Sequence, residues 1–458
     1  MLKFYNTLSN KKEKFYSLKK NRVGFYTCGP TVYDFAHLGN LRTYLFEDFL
    51  RRVLEFNGFR VKQAMNLTDI DDKIIKRAKQ EKTSIKKLTA FYSRHFFQDI
   101  KKLNIKPAEV YPRATDHIKE MITLIKQLIN RGFAYQGKNK SIYFSIQKFK
   151  NYGRLSKLNK RSLKIGSRIE ADEYNKENAQ DFTLWKARQP GEPYWPSPFG
   201  QGRPGWHIEC SAMAMKHLGK TFDIHTGGVD NIFPHHDNEI AQSEAASGKK
   251  FVNFWLHAEY LLVNNQKMSK SLNNFYTLAD LKNRKISALA FRYLSLTSHY
   301  RTKLNFTWRA AQSAQNSLNR LYSEIIRLRL QSPQKTKPCR QTEKKQQKMF
   351  LEAINDDLNL PRALAVLWSV IQDPKLNSIQ KIKLISSFDK VFGLNLSEIK
   401  TPGIPVKIKR LVANREKLRT NQQFIHADHL RKKIEGLRYK IEDTSSGPLI
   451  LPLDKKPE

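Results

Sequence analysis

Two short runs have residue types suited to holding a polyphosphate. His37, Leu38, Gly39 and Asn40 stand where a strand-like run, Val23 to Asp34 with a break at Gly29-Pro30, gives way to apolar residues at helical spacing (Leu38, Leu41, Leu45, Phe49, Val53, Phe56). At the start of a helix the backbone N–H groups and the dipole favour an anion, and Gly39 would let a nucleotide approach the backbone. A loop histidine alone is more often solvated or a cap, so this pattern needs its context. Lys267-Met268-Ser269-Lys270-Ser271 is the second run, with two ammonium groups and two hydroxyls able to neutralise and orient a leaving polyphosphate. Lys-Ser runs are common on surfaces, but both signals in this order point to nucleotide chemistry.

Metal-ligand chemistry is the other possibility. Cys28, Cys210, His235 and Glu239 offer two thiolates, an imidazole and a carboxylate, a set that suits zinc, with His235 and Glu239 on one helix face at i,i+4. The spacing is non-local, and on residue types alone buried structural cysteines with an ordinary His–Glu pair are the commoner reading. Trp206, His207, His225, Asp230 and His236 crowd the same stretches around Gly227-Gly228. Asp69, Asp71 and Asp72 can hold Mg²⁺ or can cap and compensate the dipole of a following helix.

These residues need elements to position them. The run Phe59 to Leu67 reads as a second strand, with Thr68 or Asp69 capping a helix through Ile74 and Ile75, so the order β-α-β-α predicts a parallel nucleotide-binding sheet. Residues 1–111 then form the first half of a Rossmann-type catalytic domain. Residues 112–205 lack the rhythm and end in the Pro- and Gly-rich stretch Gln189 to Pro204, which reads as a connective insertion. The second half follows at 206–255, and 256–306 carries an extended run, Phe254 to Val263, into the Lys-Ser loop. Leu318, Leu321, Tyr322 and Ile325 begin a helical domain at 307–400. A small C-terminal domain, 401–458, opens with a strongly basic helical pattern and ends in the apolar Leu449 to Leu453.

The 458 residues carry 82 Lys and Arg against 42 Asp and Glu, a net +40 that suits a polyanionic partner such as nucleic acid. Genomic base usage explains such an excess as well, so charge alone decides nothing. The longest apolar run, Ala363 to Ile371, is far short of the ~18 residues of a membrane span, and the N-terminus has no apolar signal core. Three widely spaced cysteines, Cys28, Cys210 and Cys339, make no disulfide framework, so a reducing, cytoplasmic setting is expected.

Taken together, YTCGPTVYDFAHLGN, NLTDIDDKII, DFTLWK, GRPGWHIECSAM, FDIHTGGVDNIFPHHDNEIAQSEA, KMSKSLNNF, SHYR and EGLRYKIEDTSSG closely resemble the cysteinyl-tRNA synthetases, a family of class I aminoacyl-tRNA synthetases. The resemblance spans most of the chain. It implies one zinc on Cys28, Cys210, His235 and Glu239, an aromatic wall at Trp206, and substrate contacts at Thr68 and His225. It implies ATP, with Mg²⁺, held by His37, Gly39 and Lys270, with Asn40 and Lys267 beside the reacting phosphates. Cysteine and tRNA(Cys) are the implied substrates, the C-terminal domain is implied to read the anticodon, and a monomer is expected.

Two departures stand out. Asn40 replaces the second histidine of the family's first signature, which puts rate rather than reaction type in question. Aliphatic Leu449 and Ile450 replace an aromatic that some members place near the C-terminus. Two rival readings remain: a ligase passing a cysteinyl-adenylate to a small amine, against which the extra C-terminal domains argue, and a catalytically silent zinc protein that binds RNA, against which the complete KMSKS run argues.

Overall fold

The computed structural model describes residues 1–157, 181–268, 272, 274–330, 338–401, 403–444 and 447–452. They divide into two units: Met1–Ala288 with Ser298–Thr307 and Asn355–Leu358, and Leu289–Thr297 with Trp308–Ile354 and Asn359–Glu458.

Four strands organise the first unit: β1 (Arg22–Thr27), β2 (Arg60–Met65), β3 (Phe222–Gly228) and β4 (Val252–Ala258). Their order is β4-β3-β1-β2 and every neighbouring pair is parallel. Such a sheet is covered on both faces, and β3 accordingly has no exposed residue. Helix α1 (Leu38–Phe56) joins β1 to β2, α2 (Trp206–Leu218) leads into β3, and α3 (Asp237–Ser247) joins β3 to β4. This is the α/β, parallel-sheet class expected from the sequence.

Helix α1 is more deeply enclosed than its apolar stripe suggested. Tyr44, Phe46, Glu47, Asp48, Leu50, Arg51 and Arg52 are buried alongside the stripe, while Phe56, assigned to it, is only half-buried. Buried charge on such a helix must be paired. Arg52 meets Asp48 at 2.7 Å, and Arg51 meets Glu55 at 2.9 Å and Glu109 at 2.6 Å. Arg42 donates to four backbone carbonyls, those of Glu259 (2.7 Å), Tyr260 (2.6 Å), His299 and Thr302. That clamp explains one difference from the sequence reading. The run Phe254 to Val263 is two strands in two sheets, β4 and Leu261–Val263, because its middle residues, Glu259 and Tyr260, turn their carbonyls to Arg42.

A second difference concerns the cap after β2. Neither Thr68 nor Asp69 caps the next helix, Asp72–Gln80; Asp71 does, accepting the Lys73 N–H at 2.8 Å. Asp69 instead accepts the Thr115 N–H and hydroxyl, at 2.9 and 2.6 Å, and Asp72 pairs with Lys186 and Arg203. The three carboxylates thus bond to different residues, and they are not among the groups of the described residues that could hold a metal ion.

Between 112 and 205 lie a helix, Ile118–Asn130, and an antiparallel sheet of Ala134–Gln136, Ile142–Phe144, Phe182–Ala187 and Gly202–Pro204. The last of these strands falls inside the stretch read as loop. In the second unit, Leu318, Leu321, Tyr322 and Ile325 form the buried face of helix Trp308–Leu330, as their spacing predicts. Helices Arg340–Asn355, Leu360–Gln372 and Ser378–Phe392 follow. The basic C-terminal pattern is a pair of helices, Val406–Thr420 and Phe424–Gly436, beside a hairpin of Tyr439–Thr444 and Gly447–Pro452. Ile408, Val412, Ile434 and Ile441 make a small core there, and Ile450 packs against it, while Leu449 is also buried. Among the described residues, no helix is long and apolar enough to cross a membrane.

Candidate active site

In a parallel sheet the carboxyl ends of all strands face one edge, and a crevice opens where the strand order reverses. Here the reversal lies between β1 and β3. Cys28 follows the last residue of β1, Thr68 lies just beyond β2, His225 is within β3, and His235 and Glu239 follow β3 on the way into α3. Cys210 projects from α2, whose first residue is Trp206.

Cys28, Cys210, His235 and Glu239 each bring one ligand atom to within 4.8 Å of the others. His225 and His236 form an overlapping group with Cys28 and Glu239. His235 Nε2 lies 3.1 Å from Glu239 Oε1, and His225 Nε2 lies 3.1 Å from Glu239 Oε2. Trp206 sets its ring 4.4 Å from the His235 ring centroid, and His207 Nδ1 is 2.9 Å from His235 Nδ1.

The group's charge is poorly balanced without a cation. Hydrogen bonding with Cys210, together with burial, holds the Cys28 thiol well above its ordinary range, while the same hydrogen bond draws Cys210 down to about 6. Burial would raise Glu239, but His225 and His235 bring it to about 2. Burial would lower His235, but Glu239 and Cys210 lift it to about 10. The thiol, imidazole and carboxylate donors match zinc.

A line of polar groups runs back from Cys28 through buried His236 and His257. Its Sγ is 3.4 Å from His236 Nε2; His236 Nδ1 is 2.8 Å from His257 Nε2; His257 Nδ1 is 2.8 Å from the Thr7 hydroxyl. Burial and neighbouring His225 lower His236 far below its usual value and His257 to about 3, so both rings are neutral. Sequence reasoning missed His257 and Thr7; the available signal was a histidine inside the largely apolar strand β4.

The phosphate candidates sit at the entry to α1. His37 is the N-cap, with its Nδ1 accepting the Asn40 N–H at 3.1 Å, while Asn40 Oδ1 accepts the His37 N–H at 3.3 Å. This reciprocal cap leaves the proton of a neutral His37 on Nε2. A Cβ on Gly39 would lie 2.9 Å from the His37 ring, so the absent side chain makes room for the imidazole. Gly29 is held more tightly still, since a Cβ there would fall 1.8 Å from the Asn66 carbonyl oxygen. Thr68 is buried, its hydroxyl between Asn66 Nδ2 (3.2 Å) and Glu209 Oε2 (3.3 Å).

The residues that follow the Lys-Ser run approach the same helix end. Tyr276 O accepts the Leu38 N–H at 2.8 Å, and Phe275 meets the His37 ring edge-on at 4.9 Å. Lys267 lies in a short strand, Gln266–Lys267, with Nζ 5.4 Å from the Tyr260 ring centroid. Lys270 lies outside the described residues.

Comparison with known proteins identifies the family. A family model described as the class I (C) tRNA synthetase catalytic domain matches residues 14–316. A cysteine–tRNA ligase of Protochlamydia amoebophila is 46% identical, with 97% of each chain covered. One from Chlamydia felis is 47% identical over 99% of this chain and 98% of its own. Among solved structures, a methionyl-tRNA synthetase of Mycobacterium tuberculosis in complex with methionyl-adenylate superposes with a TM-score of 0.62 at 12% identity, covering 82% of this chain and 93% of the other. A putative arginyl-tRNA synthetase of Campylobacter jejuni does so at 0.51 and 14%, covering 85% and 95%. At those identities the likeness is one of fold, whereas the full-length relatives near 46% establish kinship: the chain belongs to the cysteine–tRNA ligase family of class I tRNA synthetases.

Proposed function

We propose that this enzyme activates L-cysteine with ATP and transfers it to the terminal adenosine of tRNA(Cys), with one zinc at Cys28, Cys210, His235 and Glu239. The observation that carries this reading is the convergence of those four donors at the strand-order reversal of a parallel sheet. The set with both cysteines is preferred over the one with His225 and His236, because His236 already lies against His257 and Cys28. When bound there, zinc supplies the Lewis acidity that favours a thiolate over a thiol, and an aliphatic hydroxyl does not ionise in that range, so serine is refused without editing.

In the first step the cysteine carboxylate attacks the α-phosphate of ATP and pyrophosphate leaves. His37 presents Nε2–H to the developing phosphate charge, its ring held by the Asn40 cap, while Lys267 and Lys270 neutralise the departing polyphosphate. The nucleotide brings its own Mg²⁺, consistent with Asp69, Asp71 and Asp72 being otherwise engaged. Trp206 walls the substrate side of His235, with Thr68 and His225 as the further substrate contacts of this reading. In the second step the tRNA hydroxyl attacks the activated carbonyl carbon and AMP leaves, so positioning and electrostatics suffice without a protein nucleophile. The C-terminal lobe reads the anticodon, and the enzyme works as a cytoplasmic monomer in which Cys28, Cys210 and Cys339 form no disulfide.

One experiment tests the whole. Cysteine-dependent exchange of pyrophosphate into ATP is expected, followed by transfer of cysteine to tRNA(Cys). Exchange without charging would favour the small-amine ligase, and neither activity would favour a silent RNA-binding protein.

A further inference from the structure

Near the entry to α1 the surface carries an aromatic group that neither the adenylate chemistry nor the core uses. Phe35 is 39% exposed and Phe91 46% exposed, yet their rings touch edge-on with centroids 6.1 Å apart. His95, one turn beyond Phe91 on helix Ile85–Lys102, lies 4.3 Å from the Phe91 ring and 5.1 Å from Phe35. Exposed aromatics that are scattered singly mean little, but a contiguous group marks a contact surface.

This group is held rigidly. Phe35 packs edge-on against buried Tyr92 at 5.2 Å. Its neighbour Asp34 pairs with Arg77 at 3.1 Å, and the Arg77 guanidinium covers the Tyr92 ring at 5.0 Å. The loop carrying Phe35 is thereby braced against two helices, Asp72–Gln80 and Ile85–Lys102. An aromatic face fixed in this way loses little entropy when a flat partner stacks on it.

Charge and position identify the partner. Lys87 and Arg94 are exposed and stand at i−4 and i+3 from Phe91, hence on the same face of the helix. Rings flanked by cations fit a nucleobase attached to a phosphate backbone better than an apolar peptide. Phe35 is two residues from His37, at most ~7 Å along the chain, so the group lies beside the phosphate end of the active site. The substrate that must bring unpaired nucleotides to that point is the acceptor end of tRNA.

We propose that Phe35, Phe91 and His95 form a shelf on which an unpaired base of the tRNA acceptor end stacks. The proposal rests on tRNA being the substrate, and the experiment separates the two. Phe91→Ala and Phe91→Trp are compared with the unaltered enzyme in cysteine-dependent pyrophosphate exchange without tRNA, and in charging of tRNA(Cys). Phe91→Ala is expected to leave exchange unchanged and to lower kcat/KM for tRNA roughly tenfold, with Phe91→Trp restoring most of it. A tRNA carrying 2-aminopurine at the unpaired acceptor positions should be quenched on binding to the unaltered enzyme and much less by Phe91→Ala. If the unaltered enzyme charges no tRNA, the functional reading fails. If it charges tRNA and Phe91→Ala charges equally well with equal quenching, the shelf alone is overturned. Loss of exchange in Phe91→Ala and Phe91→Trp alike would also overturn it, because Phe91 would then support the fold.

Discussion

At the scale of residues, the four converging donors make the sharpest test. Cys210→Ser and His235→Ala are expected to lower metal content from one zinc per chain and to reduce cysteine activation together, with ATP binding and far-ultraviolet circular dichroism largely kept. In a cobalt-substituted sample, cysteine but not serine should alter the visible spectrum; no change with cysteine would remove the metal from substrate selection. Lys270→Ala should slow pyrophosphate exchange on the order of 10²–10³-fold while zinc content stays the same, since its charge matters most as phosphate charge develops. Asn40 gains a role that its departure from the family pattern did not suggest, because its side-chain oxygen closes a reciprocal cap with His37. Asn40→Ala should cost about 1 kcal/mol of stability in urea melts and slow exchange. Asn40→Asp, which keeps the acceptor, should retain the stability.

At the scale of elements, Arg42 ties α1 to the two segments that follow β4. Its buried guanidinium, lowered by desolvation to about 10, still carries its charge at neutral pH and meets four carbonyls. Arg42→Met keeps much of the apolar stem but strands those carbonyls, so a loss of at least about 3 kcal/mol is expected from urea unfolding midpoints. Exchange should fall in the same variant, because the segment Leu261–Val263 pairs with Gln266–Lys267 at the base of the Lys-Ser loop. A variant that unfolds normally but exchanges pyrophosphate slowly would place the role of Arg42 in the loop rather than in stability.

At the scale of the whole molecule, the small C-terminal lobe depends on few contacts. Beside its four-residue aliphatic core, buried Arg415 grips Asp443 of the hairpin with bonds of 2.6 and 2.9 Å. Those bonds hold the Asp443 carboxyl below its usual range. Because the folded form favours the ionised carboxylate, the stabilisation is complete above the unfolded value of about 3.9 and is lost as pH falls through the lower folded value. The stability difference between the unaltered protein and Asp443→Asn should therefore shrink towards zero in urea melts as pH is taken from about 5 to below about 3. A difference that persists at the acid end would mean the pair contributes through packing alone. The net charge of +40 bears on a different quantity: tRNA affinity should fall linearly in log–log form with salt.

Local order was legible in the sequence because it is encoded over a few residues. Apolar spacing marked α1 and the helix beginning at Trp308, strand-like runs separated by helices marked the parallel sheet, and the residue types of Cys28, Cys210, His235 and Glu239 suggested a metal set. The aliphatic Leu449 and Ile450 were visible as a departure, but only packing shows that Ile450 lies against the core of the lobe and that Leu449 is buried. Which aspartate caps the helix at Asp72 was not legible, since Thr68, Asp69 and Asp71 have equivalent chemistry and the decision falls to Thr115, forty-six positions from Asp69. Tertiary structure alone decided that Cys28 and Cys210 come together, that His236 and His257 line up behind Cys28, and that Arg42 breaks the run after β4. Periodicity and caps act between neighbours, whereas these contacts depend on strand order and on the need of each buried polar group for a partner, wherever in the chain that partner lies.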